Sequence, residues 1–276
     1  MEIVADLHLH TNCSDGLLSP EKMVNMAFEF GLSACSITDH DTVDGLESAI
    51  EKGRKIGVEV IPGIELNTDG PGGEVHILGY YIPHQDPVFL EELKILKQAR
   101  VVRMKKMLEN MKKIGITVYL EEILHEAGNA PPGRPHLARV LVKNGFSFSF
   151  EDAFRRYLEK GKPGYEPHFH KLTPKTAIQL IKRFNGLAVI AHPFTSSYGE
   201  AEIKGLLPYG LDGIEVFHSK HNSMTEKEYF LITDKYHLLA TGGSDCHGEQ
   251  TVCGLLVGKY GLTAEHFNNF KSKARC

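Results

Sequence analysis

The 276-residue sequence has no tryptophan, and no apolar run approaches the ~18 residues that a bilayer-spanning helix needs. It also lacks a basic segment followed by an apolar one at its start, the mark of a secretory signal. These absences set an expectation of a cytoplasmic protein with no membrane association. Charge of one sign is scarce too: the net charge is -4, with a pI near 6.4. No global field draws nucleic acid or an anionic membrane, so any phosphate recognition must be local. Cysteine is sparse and odd in number (Cys13, Cys35, Cys246, Cys253 and Cys276), without the paired spacing of a zinc knuckle or a secreted disulfide framework. Reduced thiols are the expectation. Internal repeats and low-complexity tracts are missing, and nothing points to an obligate protein partner.

What is abundant is histidine, 15 in all, in a chain that is 42% hydrophobic and long enough to bury a large core. Short apolar runs alternate with helical patterns. Strands are predicted at 2–7, 34–37, 58–64, 75–81, 187–191, 214–217 and 238–240. Helices are predicted between most of them, at 20–30, 43–56, 174–184, 200–207 and 225–236, with Ser19-Pro20 and Thr173-Pro174 as start signals. Such alternation argues for a parallel sheet, closed or open. The exception is "GIELNTDGPGGEVHILGYY", where residues 69–73 suit a hairpin turn. Centring that turn between Gly70 and Pro71 puts Glu65 opposite His76, on one face. Residues 88–162 read instead as helices at 88–113, 120–125, 135–143 and 150–160. They are expected to form a small cap-like subdomain inserted into a unit made of 1–87 and 163–276.

The unusual histidines and acids sit at strand ends. "DLHLHTNCSDG" carries His8, His10 and Asp15, "ITDHD" carries His40, and Glu65 and His76 flank the hairpin. "VIAHP" ends in His192, and "GGSDCHG" supplies Asp245 and His247. In parallel α/β barrels the carboxyl ends of the strands form the face that carries the chemistry. In an extended segment residues i and i+2 point the same way, so His8 and His10 face together, as do Asp245 and His247. The same alternation turns Cys246 away. Imidazoles and carboxylates without thiolate suit Zn, Mn or Fe. His84, His125, His237 and His266 are assigned no role.

These stretches, together with "VHILGY", resemble in order the motifs of the PHP (polymerase and histidinol phosphatase) domain family. The resemblance implies a distorted (β/α)7 barrel with three divalent metal ions (Mn, Fe or Zn) at the strand ends. It implies one ion on His8, His10, Glu65 and Asp245, a second on Glu65, His76 and His192, and a third on Asp15, His40 and His247. The insert, with "PPGRPHLARVLVKNG" and "EDAFRRYLEKGKPGY", is similar to the TrpH-like or YciV-like subgroup. That subgroup includes phosphatases of 3',5'-nucleoside bisphosphates and 5'-to-3' exonucleases on short RNA. Histidinol phosphatases and polymerase-attached domains are less similar there.

Three divalent ions outweigh the three carboxylates, so such a centre attracts phosphate. A water between two ions is acidified into a nucleophile, and no protein nucleophile is needed. Arg134, in a loop before a helix start, suits bidentate phosphate contact, with His136 assisting; the alternative is an ordinary solvated arginine. His218, ending the strand in "GIEVFHSKH", is expected to contact phosphate or protonate the leaving group, with a structural role as the alternative. His221 is a further candidate for substrate contact, and Asp39 and Asp41 are expected to orient ligands. Lys94, Lys97, Arg100, Arg103, Lys105 and Lys106 could guide a short single-stranded oligonucleotide, but read more simply as a solvated helix face. The expectation is a phosphatase of a small nucleotide, most of all a 3',5'-nucleoside bisphosphate. The alternatives are an exonuclease on short RNA or DNA, a histidinol phosphatase, or a non-catalytic metal-binding module.

Overall fold

The structure is a computed structural model that describes residues 2–70, 73–167, 172–248 and 255–274. Chain order runs β1 (Ala5–Leu9), α1 (Pro20–Glu29), β2 (Ala34–Ile37), α2 (Leu46–Ile56), β3 (Glu59–Gly70) and β4 (Gly73–Tyr80). Four helices follow, α3 (Pro87–Lys113), α4 (Leu120–Ala127), α5 (Arg134–Lys143) and α6 (Phe150–Ala153), the last continuing into a π-helical turn at Phe154–Leu158. The chain then returns through α7 (Pro174–Arg183), β5 (Leu187–Ile190), α8 (Glu200–Leu206), β6 (Gly213–His218), α9 (Ser223–Tyr236), β7 (Leu239–Gly243) and α10 (Ala264–Lys273).

The seven strands form one sheet in sequential order. Its edges meet: Asp245 N donates to His8 O at 2.9 Å, His10 N donates to Cys246 O at 3.0 Å, and Ser244 N donates to the Asp6 carboxylate at 2.9 Å. The result is a nearly closed barrel. The pairs β1–β2, β2–β3, β5–β6 and β6–β7, each joined through a helix, are parallel. The β3–β4 hairpin inverts β4, so its pairing with β5 is antiparallel too.

The hairpin register differs from the sequence expectation. Glu65 pairs with Leu78 and His76 with Asn67, because both strands continue to the Gly70–Gly73 pair. The expected turn residues Pro71 and Gly72 lie outside the described residues. A two-residue offset preserves the face, whereas an odd one would reverse it. His76 Nδ1 therefore still lies 2.8 Å from Glu65 Oε1, across the diagonal.

The main core packs Ile37, Ile64, Leu66 and Ile77 of the strands against Met23, Leu46 and Ile181 of the helices. Leu7, Leu78, Tyr80 and Val189 form another cluster, covered by Phe267 and Phe270 of α10. That helix went unanticipated because few of its residues are apolar. The helical block has a core of its own, where Met104, Met107 and Met111 meet Ile123, Leu137, Leu141 and Leu158. The start of α3 belongs elsewhere: Phe89 and Leu93 pack into the barrel cluster. Arg100 and Arg103 are buried, so they are not part of a solvated face. Arg100 Nε donates to Asp41 at 2.6 Å and its Nη2 to Asn67 at 2.7 Å, while Arg103 Nε donates to Glu166 O at 2.7 Å. Among the described residues no helix is long and apolar enough to cross a membrane.

Candidate metal centre and substrate cavity

Every strand end delivers donors to one place. His8 and His10 leave β1 with their Nε2 atoms 3.1 Å apart. At the middle of the group is Glu65, fully buried on β3. Its Oε2 lies 3.3 Å from His8 Nε2, 3.2 Å from His10 Nε2 and 3.0 Å from His40 Nδ1. Its Oε1 lies 2.8 Å from His76 Nδ1 and 3.0 Å from His192 Nε2. Asp245 Oδ1 approaches His10 Nε2 at 3.2 Å and His8 Nε2 at 3.5 Å. Asp15 completes the group, with Oδ1 3.3 Å from His247 Nε2 and Oδ2 3.7 Å from His40 Nε2.

These donors fit metal ions better than they fit one another. His10 Nδ1, His40 Nδ1 and Glu65 Oε2 are buried without a hydrogen-bond partner, although His40 Nδ1 and Glu65 Oε2 are close enough for one. Lone pairs that converge without a shared proton are costly when buried, unless a cation sits between them. Donor atoms within ion-binding reach group as His8, His10 and Glu65, as His40, Glu65 and His76, and as His10, Asp15, His40 and His247. His40 thus reaches both Glu65 and Asp15.

The electrostatics agree. Burial opposes charge on Glu65, but the imidazoles of His40, His76 and His8 overcome it and hold the carboxyl well below its usual range. Asp15 is held down against burial by His247 and His40, and Asp245 by His8 and Lys220. In return, and also against burial, the carboxylates raise His10 to about 10 and His76 to about 9. Burial prevails at His40 and His192, lowered to about 3 and about 4. The cage draws cations.

A supporting layer fixes the cage residues. Glu215, buried on β6, accepts from His8 Nδ1 at 2.8 Å and from His192 N at 2.7 Å. With its proton on Nδ1, His8 turns a lone pair on Nε2 towards Glu65. Sequence reasoning missed Glu215, although a lone carboxylate inside the apolar run "GIEVF" was the available signal. An irregularity in the β6–β7 register between Glu215 and Phe217 brings both Glu215 and His218 inward, which breaks simple alternation. Asp39 accepts from Thr11 N at 2.7 Å, Thr11 Oγ1 at 2.6 Å and Ser14 Oγ at 2.5 Å, pinning the loop that carries Asp15.

The other expected residues divide. Arg134 opens α5 and lines a cavity of about 300 Å³ over the cage, with His40, His76, His192 and His247. Its guanidinium pairs with Glu74 and lies 5.7 Å from the centre of the Phe154 ring. His218 is fully buried and accepts from Lys220 N at its Nδ1 (3.1 Å), which leaves Nε2 facing Asp245 Oδ2 at 3.6 Å. His136 does not reach the cavity: Nδ1 accepts from Gly133 N and Nε2 donates to Ser14 O, each at 3.0 Å. It joins α5 to the β1 loop, so its expected substrate contact is not met. His221 donates from Nδ1 to Val216 O at 2.8 Å and packs between Phe194 and Tyr229, away from the cavity, so its expected contact is not met either. Lys220, unanticipated because a loop lysine carries no pattern, lines the cavity with Nζ 3.4 Å from Asp245 Oδ2.

Comparison with known proteins places the cage in a family. A model of the PHP domain matches residues 6–159. The chain is 33% identical over 251 residues to the 5'-3' exoribonuclease Rnm of Escherichia coli (strain K12), covering 89% of this chain and 85% of the relative. It is 31% identical over 247 residues to the 3',5'-nucleoside bisphosphate phosphatase of Chromobacterium violaceum, covering 88% and 86%. A crystal structure from Bifidobacterium adolescentis, described as a metal-dependent phosphoesterase, superposes with a TM-score of 0.87 at 27% identity, covering 96% of this chain and 94% of that one. With its strand-end cage and a match over more than half its length, the chain belongs to the PHP domain family.

Proposed function

We propose that this chain hydrolyses the 3'-phosphate monoester of a 3',5'-nucleoside bisphosphate, giving the nucleoside 5'-monophosphate and phosphate in the cytoplasm. The observation that carries this reading is Glu65, whose two oxygens face two separate sets of imidazoles. Three divalent ions, Mn, Fe or Zn, would be held by His8, His10, Asp15, His40, Glu65, His76, His192, Asp245 and His247. When bound, such ions supply Lewis acidity that acidifies a water and offsets charge on the phosphoryl oxygens. The chain's own residues then bind and orient. Arg134 and Lys220 line the cavity and present fixed positive charge to the phosphate. His218 places Nε2 beside the Asp245 carboxylate of the cage, 3.6 Å from Oδ2. Glu215 and Asp39 lock His8 and the Asp15 loop.

The names of the Chromobacterium and Escherichia relatives support phosphate ester chemistry on nucleotides. The test is phosphate release by Mn-loaded protein from a panel of a nucleoside 3',5'-bisphosphate, histidinol phosphate and a 5'-phosphorylated short RNA. Release from the bisphosphate is expected to dominate. Histidinol phosphate turnover at comparable efficiency would overturn the assignment.

A further inference from the structure

The cage is not supported from one side only. His8 and His192 are held from within the barrel, by Glu215 and by Thr195 Oγ1, which lies 2.9 Å from His192 Nδ1. Asp15 and His40 are gripped in addition from the helical block. His136 Nε2 donates to Ser14 O at 3.0 Å, and Arg139 Nη2 donates to Asp15 O. Arg100 of α3 holds Asp41, the residue after His40, and the other oxygen of Asp41 accepts from Asn67 N at 3.0 Å.

His136 and Arg139 stand three apart on α5 and so share one face of the helix. That face meets two successive carbonyls. Ser14 O belongs to the peptide plane before Asp15, and Asp15 O to the plane after it. Holding both planes fixes the φ and ψ of Asp15, and with them the direction of its carboxylate. The second plane is also held inside the loop, where Gly16 N donates to Thr11 O at 2.9 Å. His136 is made for a donor's role. Its Nδ1 accepts from Gly133 N at 3.0 Å, which leaves the proton on Nε2, and burial holds its pKa below the usual histidine range, so the ring stays neutral.

We propose that α5 builds the third ion's site, with His136 and Arg139 as positioning residues that aim the Asp15 carboxylate at His40 and His247. The affinity of that one ion then depends on docking of the helical block, whereas the other two depend on the barrel. This rests on the three-ion reading above and says what supports one of the three. Coupling is reciprocal, so an ion on Asp15 also steadies α5.

The experiment takes the full chain purified with Mn as wild type, His136→Ala, His136→Gln and Arg139→Met. Each is dialysed against graded chelator, and the ions left per chain are counted. In His136→Ala and Arg139→Met one ion is expected to leave at a free Mn concentration about 10- to 100-fold above that in the wild type, with the others following the wild-type curve. His136→Gln, whose amide can still donate to Ser14 O, is expected to restore part of the loss. Arg139 is only half-buried, so Arg139→Met carries the test should His136→Ala fail to fold. Stripping the metal from the wild type is expected to speed hydrogen exchange at the amides of 134–143. Curves that match the wild type in both variants, uniform loosening of every ion without rescue by His136→Gln, or exchange in α5 that ignores the metal overturns the proposal. A wild type that holds only two ions overturns the three-ion reading. The role of α5 then stands if the variants loosen one of the two, and falls if they loosen neither or both.

Discussion

Glu215 does not line the cavity, yet both its oxygens are committed to parts of the cage, at His8 Nδ1 and at the His192 amide. Glu215→Gln is expected to weaken metal binding roughly 10- to 100-fold without altering the fold, since an amide cannot hold His8 in the same tautomer with the same charge. Chelator competition measures this; equal affinities would remove the supporting role. Gly243 is a second single-residue constraint. A Cβ there would lie 2.3 Å from His8 Cβ and 2.4 Å from His8 N, at the seam where β7 meets β1. Gly243→Ala should therefore cost about 1–3 kcal/mol by overpacking, read from urea unfolding. At this scale the residues that converge in the cage were legible because histidine and carboxylate interrupt apolar strands at their ends. Glu215 was hidden by a local irregularity in strand pairing, and His136 and His221 misled because sequence shows no hydrogen-bond partners.

Among the elements, α3 joins barrel and helical block, since Phe89 packs on one core and Met107 on the other. Its central tie is the buried ion pair of Arg100 with Asp41, whose backbone sits at φ 53° directly after His40. Arg100→Ala leaves Asp41 buried without its partner and is expected to cost about 3–5 kcal/mol. A double-mutant cycle with Asp41→Asn measures the coupling, and a cost near zero would mean the pair is incidental. The helix itself was legible from its length and spacing; the burial of Arg100 and Arg103 was not, because a basic residue looks the same whether it meets water or a carboxylate. The hairpin is similar. Its existence followed from five turn-forming residues, but its register depended on how far the strands continue, which those residues do not fix.

At the scale of the whole molecule, the apolar rhythm announced a parallel α/β sheet, closed or open, interrupted by a helical stretch, and the family resemblance implied its closure into a barrel. Closure of that barrel rests on contacts between chain ends, such as the Asp6 carboxylate that accepts from Ser244 N at 2.9 Å and Gly258 N at 3.2 Å. Burial raises that carboxyl to about 6 against those hydrogen bonds. Contacts so distant in sequence leave no local pattern. Closure is also what turns seven strand ends into one cage, with Glu65 between two sets of imidazoles. The most direct test of that arrangement is metal content per chain, by elemental analysis of wild type and Glu65→Gln purified side by side. The expected result is about three ions in the wild type and about one in the variant, with phosphate release lost, because ligands must be ionised and shared to hold both ions. Equal metal content in the two proteins would contradict the bridging role of Glu65.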